Sequence, residues 1–240
     1  MTRWKASGTH LCLSILVIGG IAVFAFTTWY PDGLWRVSGL ERLLLVMLGI
    51  DLTAGPLLTL LLYRPGKKGL KFDLTTIAVM QLAFLAYGLH TLWLARPVFL
   101  VGMPDQITVV FAGEIDDKDL AKAPTAELRQ LSLTGPRLVG SRMPVDPEKR
   151  RQAMSEFMTG GAGVERSPKY YFNYAQIVPE LLRASRKLKE NKSIPASAAK
   201  AVGLPPQQVR WVPIVSTRGE GIVLIDARTG KPLQVMAAEL

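Results

Sequence analysis

Three long apolar stretches occupy most of the first hundred residues: Leu11 to Tyr30, Leu43 to Leu62 and Leu74 to Ala95, of 20, 20 and 22 residues. A helix rises about 1.5 Å per residue and the bilayer core is about 30 Å thick, so about 20 apolar residues suffice to cross it. Asp51 is the one formally charged residue in all three stretches. Beyond Arg96 the apolar positions fall into short runs broken by glycine, proline and charge, continuing to Leu240. The pattern predicts a three-span transmembrane domain over residues 1–96, followed by a globular domain over residues 97–240.

Within the second part the periodicity is mixed. Gln106 to Phe111 is rich in β-branched residues and predicts a strand. Gly113 to Ala123 is an acidic connector, Pro124 to Leu131 suits a short helix and Pro136 to Gly140 a short strand. Asp146-Pro147-Glu148 predicts a helix start, with aspartate as cap and proline in the first turn, and Gly160-Gly161 predicts its end. A longer helix is expected over Gln176 to Asn191, where Ile177, Leu181, Ala184 and Leu188 form a stripe at 3–4 residue spacing. A short helix within Ala196 to Val202 would end at Gly203 and Pro205. Val209 to Ser216 and Gly221 to Asp226 read as strands joined by a hairpin loop, with a last short strand after Arg228 to Lys231. Pro213 inside the first of these predicts an edge strand or a bulge. The expected fold is α+β, a transmembrane three-helix bundle followed by a domain that ends in an antiparallel ribbon.

Orientation follows from lysine and arginine. Arg3 and Lys5 precede the first span, and Arg64, Lys67, Lys68 and Lys71 lie between the second and third. The loop Pro31 to Arg42 holds only Arg36 and Arg42, partly offset by Asp32 and Glu41. Positive flanks stay in the cytoplasm, so the N-terminus is expected inside and the C-terminal domain outside, which in a bacterium means the periplasmic side of the inner membrane. Trp29, Tyr30, Trp35 and Trp93 suit an aromatic belt at the outer boundary. The first apolar run exceeds the 7–15 residues of a signal-peptide core and two spans follow it, so an uncleaved anchor is expected.

Charge and absent residues narrow the chemistry. The net charge of +10 divides into +5 on residues 1–96 and +5 on residues 97–240. Basic clusters such as Lys149-Arg150-Arg151 lack interleaved aromatics, so no nucleic-acid partner is expected. His10, His90 and Cys12 are the only histidines and cysteine, all within or beside the spans. Residues 97–240 therefore have no disulfide, no zinc site of the usual kind, no cysteine nucleophile and no Ser-His-Asp triad. Glu114, Asp116, Asp117 and Asp119 lack the spacing of a calcium loop and read as a solvated loop or helix start. Ser167 near Lys169 is a very weak hydrolase signal. No cofactor and no catalytic residue is expected.

Asp51 is the sharpest local feature, because a carboxylate inside a span costs about 2.5–3.5 kcal/mol on insertion scales and so seeks a partner. Counting depth from the boundaries places Tyr87 at the level of Asp51 and His90 one turn above, so either is expected to lock the second span to the third. Contact of Asp51 with another protein's transmembrane helix is the second reading, and a proton or ion pathway, for which three spans offer few other ionisable groups, the last. Gly55-Pro56 predicts a kink, with Thr53 and Thr59 available to freed carbonyls. Gly19, Gly20, Gly49 and Gly55 are candidate points of close helix approach. Pro168 to Tyr174 packs Tyr170, Tyr171, Phe172 and Tyr174 together. Read as a strand, it puts Tyr170, Phe172 and Tyr174 on one face and Tyr171 on the other. Core packing is favoured, with Lys169, Tyr170 and Tyr171 as candidates for a partner surface.

These residues, taken in order, resemble those of the type IV pilin accessory proteins, small inner-membrane proteins associated with type IV pilus biogenesis. The resemblance covers the whole chain. It rests on Arg3-Trp4-Lys5-Ala6 with His10-Leu11 and Ser14, Trp29-Tyr30-Pro31, Asp51-Leu52 with Gly55-Pro56-Leu57-Leu58-Thr59-Leu60, and Lys67 to Leu74. Beyond the spans it continues in Ala95-Arg96-Pro97-Val98, Thr134 to Val139, Pro168-Lys169-Tyr170-Tyr171 and Leu224 to Gly230. It implies a non-enzymatic role in the stability, membrane handling or assembly of a particular pilin subunit. The implied partners are that pilin, the pilus assembly machinery and the lipid bilayer. A membrane-anchored periplasmic ligand-binding sensor is the alternative, although the short cytoplasmic segments offer no signalling output.

Overall fold

The computed structural model describes residues 2–191, 193–195 and 197–237. The chain is α+β, with N-terminal helices apolar enough to span a membrane followed by a mixed-sheet domain. It forms two compact units: Met1–Thr27 with Leu40–Leu94, and Thr28–Gly39 with Ala95–Leu240.

The first unit is helical. Helix α1 (Arg3–Phe24) continues through a π-turn at Ala25–Trp29. Helix α2 (Leu40–Gly49), a second π-turn (Ile50–Ala54) and α3 (Gly55–Leu62) make one rod, and α4 (Leu70–Ala95) makes the last. The candidate spans are Arg3–Trp29, Leu40–Leu62 and Leu70–Ala95. Pro56 sits at the start of α3, directly after the π-turn, so the irregular turn absorbs the hydrogen bond that proline cannot donate. Thr53 Oγ1 donates to the Gly49 carbonyl within that turn.

The second unit is built on an eight-stranded mixed sheet: β1 (Pro97–Gly102), β2 (Ile107–Phe111), β3 (Arg137–Gly140), β4 (Phe172–Asn173), β5 (Arg186–Lys187), β6 (Val209–Val215), β7 (Glu220–Asp226) and β8 (Pro232–Met236). The order is β4-β3-β1-β2-β6-β7-β8, with β5 against β6. The β1–β3 and β2–β6 pairs are parallel and the rest antiparallel. The ribbon expected at the C-terminal end is β6-β7-β8. Short helices α5 (Asp117–Ala121), α6 (Pro147–Met158), α7 (Val178–Ala184) and α8 (Ala198–Ala201) pack around the sheet. Asp146 Oδ1 accepts from the Glu148 and Lys149 amides, which fixes the start of α6. The core has one cluster around Val98, Phe99, Val110 and Tyr171 and another around Trp211, Ile222 and Leu224.

Several expectations need correction. Strand β1 was hidden in the apolar text after the third stretch. The helix expected over 176–191 stops at Ala184, because Ser185 turns extended and Arg186–Lys187 pair with Trp211 and Arg210 instead. Leu188 then packs on the Trp211 cluster from a 3-10 turn. Only a 3-10 turn, Glu127–Arg129, forms where a short helix was expected at 124–131. Within the expected 196–202 helix, α8 forms, and Ala196 lies outside the described residues. Strand β6 is interior, not an edge. On its side away from β7 its partners change from β5 at Arg210–Trp211 to β2 at Ile214–Val215, and Pro213 falls between the two. The missing N–H therefore costs no ladder bond.

The loop between the first two apolar stretches is also more than a connector. Trp29 Nε1 donates to the Leu133 carbonyl at 2.8 Å, and Tyr30 Oη to that of Ala95 at 2.7 Å. Val37 is fully buried, and its carbonyl accepts from Ser216 Oγ at 2.5 Å. A side chain at Gly33, where φ is +83°, would strike the Val235 carbonyl. Trp29 and Tyr30 are thus part of the sheet unit's interior and not open to an interfacial belt.

Candidate functional site

Inside the helical unit, polar side chains gather where α1, α3 and α4 face one another. Ser7 Oγ donates to the Pro56 carbonyl at 2.8 Å, joining α1 to α3. His10 bonds Thr59 Oγ1 through Nδ1 at 2.7 Å and Gln81 Oε1 through Nε2. An amide oxygen only accepts, so Nε2 carries a hydrogen and donates to Gln81. Gln81 Nε2 in turn donates to the Asp51 backbone carbonyl at 3.4 Å. The relay Thr59–His10–Gln81–Asp51 joins all three spans. In an apolar setting each such bond replaces an unsatisfied polar group, which gives it weight.

The relay borders a cavity of about 550 Å³, whose walls include His10, Ser14, Asp51, Thr59 and Gln81 among leucines and other apolar residues. Leu13 and Leu82 line it and are also 60% and 64% exposed, so the cavity opens on the outer surface of the bundle. Asp51 is 6% exposed, and its Oδ1 is buried with no hydrogen-bond partner among the described residues.

Tyr87 and His90 do not meet Asp51. Both are exposed, and neither side chain makes a hydrogen bond among the described residues. The inward face of α4 is Ile77, Gln81, Gly88 and Leu92, spaced 4, 7 and 4 residues apart. Gly88 lies under Met47, while Tyr87 is turned about 100° away. Depth counted from the span ends carries no information about rotation, which is why Gln81 was missed. His10 and Gln81 had one available signal, as hydrogen-bonding side chains in or beside apolar stretches. Gly55 packs directly on the Gln81 side chain, whereas an added Cβ at Gly19, Gly20 or Gly49 would meet nothing within 4 Å.

In the sheet unit the Pro168 to Tyr174 segment is not a strand but two 3-10 turns around the two-residue β4, so the expected alternation fails. Tyr171 is 2% exposed, donates from Oη to the Glu165 carbonyl at 2.7 Å, and meets Phe99 edge-on at 5.1 Å. Tyr174 is buried and donates to the Gly230 carbonyl. Lys169 is held between Glu156 at 2.7 Å and Asp119 at 3.2 Å, and Tyr170 Oη lies 3.4 Å from Glu156. Burial pulls the Lys169 ammonium down, but hydrogen bonds to Glu156 and Asp119 outweigh it and hold the pKa above the ordinary lysine value. The same bond from Lys169 holds the Glu156 carboxyl below its ordinary range. Lys169 and Tyr170 clamp α6 to α5, and Tyr171 is core.

Three of the four connector acids are likewise occupied. Glu114 accepts from the Phe111 amide and from Thr217, Asp116 caps α5, and Asp119 holds Lys169. No group of three or more histidine, cysteine or acidic side chains able to hold a metal ion occurs among the described residues.

Three helices apolar enough to span a membrane, a polar relay within them and a mixed-sheet domain define a membrane-associated α+β protein. No protein-family model matches the chain, and no solved structure matches it. Two fimbrial assembly proteins of Dichelobacter nodosus do, those of serogroup I and serogroup E1. They are 30% and 29% identical over 234 residues, which is 92% of this chain and 90% of each relative. A third, of serogroups C1 and C2, is 36% identical over 121 residues, half of this chain and 92% of that protein. The chain belongs to this family of fimbrial assembly proteins, in keeping with its resemblance to the type IV pilin accessory proteins.

Proposed function

We propose that this protein is a non-enzymatic accessory of type IV pilus biogenesis that holds a specific pilin subunit in the membrane before assembly. The carrying observation is the similarity to fimbrial assembly proteins along nine-tenths of the chain, spans and sheet domain together. A function residing in one part alone would not require both to be kept in a single relative.

The architecture suits such a task. A pilin awaiting assembly is an apolar helix in the bilayer with a globular head outside it. The helical unit offers an open, largely apolar cavity beside α1 and α4, and uncovered glycines at positions 19, 20 and 49 where another helix can approach closely. The sheet unit, read as periplasmic from the charges flanking the spans, is available to the pilin head. The N-terminus and the 64–71 loop then lie in the cytoplasm, and the pilus assembly machinery receives the released subunit. The Lys169–Tyr170 cluster clamps α6 to α5 and stays partly open to solvent, so it also remains available to a partner. Capture of the pilin by the detergent-solubilised full-length protein tests the reading: specific retention supports it, and absence of pilin from the eluate at matched expression contradicts it.

A further inference from the structure

The cavity between α1, α3 and α4 contains a feature that the internal packing leaves unused. Its one acidic side chain, Asp51, is more than nine-tenths buried and has an Oδ1 with no partner among the described residues, while the relay side chains His10 and Gln81 are committed elsewhere. His10 spends both ring nitrogens on Thr59 and Gln81, and the Gln81 amide is directed at the Asp51 backbone carbonyl. No water reaches a lipid-facing bundle cheaply, so an unpaired acceptor there favours any apolar neighbour that brings a donor. The π-turn that carries Asp51 aims this residue at the cavity, and such turns recur at functional positions.

We infer that the cavity is the seat for a partner transmembrane helix that is apolar apart from a neutral hydrogen-bond donor, a hydroxyl or an amide, which Asp51 accepts. A neutral donor fits better than a cation, because a second charge would have to be brought into the bilayer at its own cost. The walls exposed at Leu13 and Leu82 match the apolar remainder of such a helix. This inference rests on the pilin-holding function proposed above and names the side chain through which the held helix is recognised.

The test places a photo-crosslinking amino acid at Leu82 of the full-length protein, in membranes of cells making the pilin, and compares Asp51 with Asp51→Asn, Asp51→Ala and Asp51→Leu. Removing an unsatisfied buried carboxyl does not threaten the bundle, and Asp51→Ala controls for filling of the cavity by leucine. The expected result is a pilin adduct in the parent protein, kept within about twofold in Asp51→Asn and lowered about tenfold in Asp51→Ala and Asp51→Leu at equal protein level. Equal pilin adducts in all four would overturn recognition by Asp51 while leaving the pilin-holding function standing. A loss in Asp51→Asn as deep as in Asp51→Leu would overturn the neutral donor in favour of a charge pair. Adducts with lipid alone in the parent would overturn both the inference and the function beneath it.

Discussion

In the sheet unit all five residues from Ile107 to Phe111 are buried, whereas in the helical unit Leu45, Val46, Leu61, Val79 and Leu82 are each 60% exposed or more. Both regions are rich in the same aliphatic side chains, so composition does not distinguish them. What differs is the solvent each is built for. The sheet unit hides apolar surface from water, and its structure is set by packing around Phe99, Trp211 and Leu224. The helical unit leaves its apolar surface uncovered, as suits a lipid surrounding, where leucine gains nothing by facing inward. Its arrangement is therefore set by close contacts such as Gly88 under Met47 and by the polar relay through His10 and Gln81.

That contrast can be broken most forcefully in the sheet. Trp211 is 1% exposed, and its Nε1 donates to the Lys187 carbonyl at 3.1 Å. Trp211→Ala is expected to destabilise the sheet unit by about 3–5 kcal/mol. Limited proteolysis of the detergent-solubilised protein should then show cleavage within residues 97–237 while the spans stay intact.

A smaller effect is expected in the bundle, and from a polar residue. Gln81→Leu removes the bonds to His10 and to the Asp51 carbonyl, at about 1–2 kcal/mol. Leu82→Ala, one residue along but on the lipid side, should leave the bundle's melting temperature within a degree or two of the parent. Equal losses in the two variants would mean that apolar packing, not the relay, holds the spans.

Smaller again is the ion cluster at Lys169, expected to contribute about 0.5–1 kcal/mol, since such pairs are partly solvated. Its pH dependence has two limits. Glu156 has its folded pKa below the ordinary carboxylate value of 4.5, so its contribution is complete above that value and is lost as pH falls through the depressed one. Lys169 has its folded pKa above the ordinary 10.5, so its contribution is complete below that value and is lost as pH rises through the raised one. Lys169→Met should flatten both limits in a thermal-melt series across pH. The least effect is expected at Gly20, which is exposed and where an added Cβ meets nothing within 4 Å. Gly20→Leu should alter stability by less than about 0.5 kcal/mol, so any fall in pilus output from it would report a contact outside the chain.

The same contrast explains what could be read from sequence. Spans are legible because hydrocarbon thickness dictates their length, and α6 because Asp146-Pro147 and Gly160-Gly161 state its ends locally. The β6-β7-β8 ribbon was legible from alternating runs and intervening turns. What failed was decided by distant partners. Leu188 fits a helical stripe, yet Trp211 draws the Arg186–Lys187 backbone into the sheet. Pro213 argues for an edge until β5 and β2 are seen to share one side of β6. In the bundle Asp51, Gly55 and Pro56 were legible as exceptions to an apolar text. The partner of Gly55 was not, because helix rotation is set by Gly88, Met47 and the relay and leaves no local trace.

The most direct measurement is deletion of the gene with plasmid restoration, comparing the membrane-held pool of pilin with sheared surface pili. A protein that holds pilin for assembly predicts fewer surface pili with a changed membrane pool, both restored by the plasmid. Accumulated pilin would indicate failed delivery, and vanished pilin lost protection. Normal pili over an unchanged pool would contradict the account.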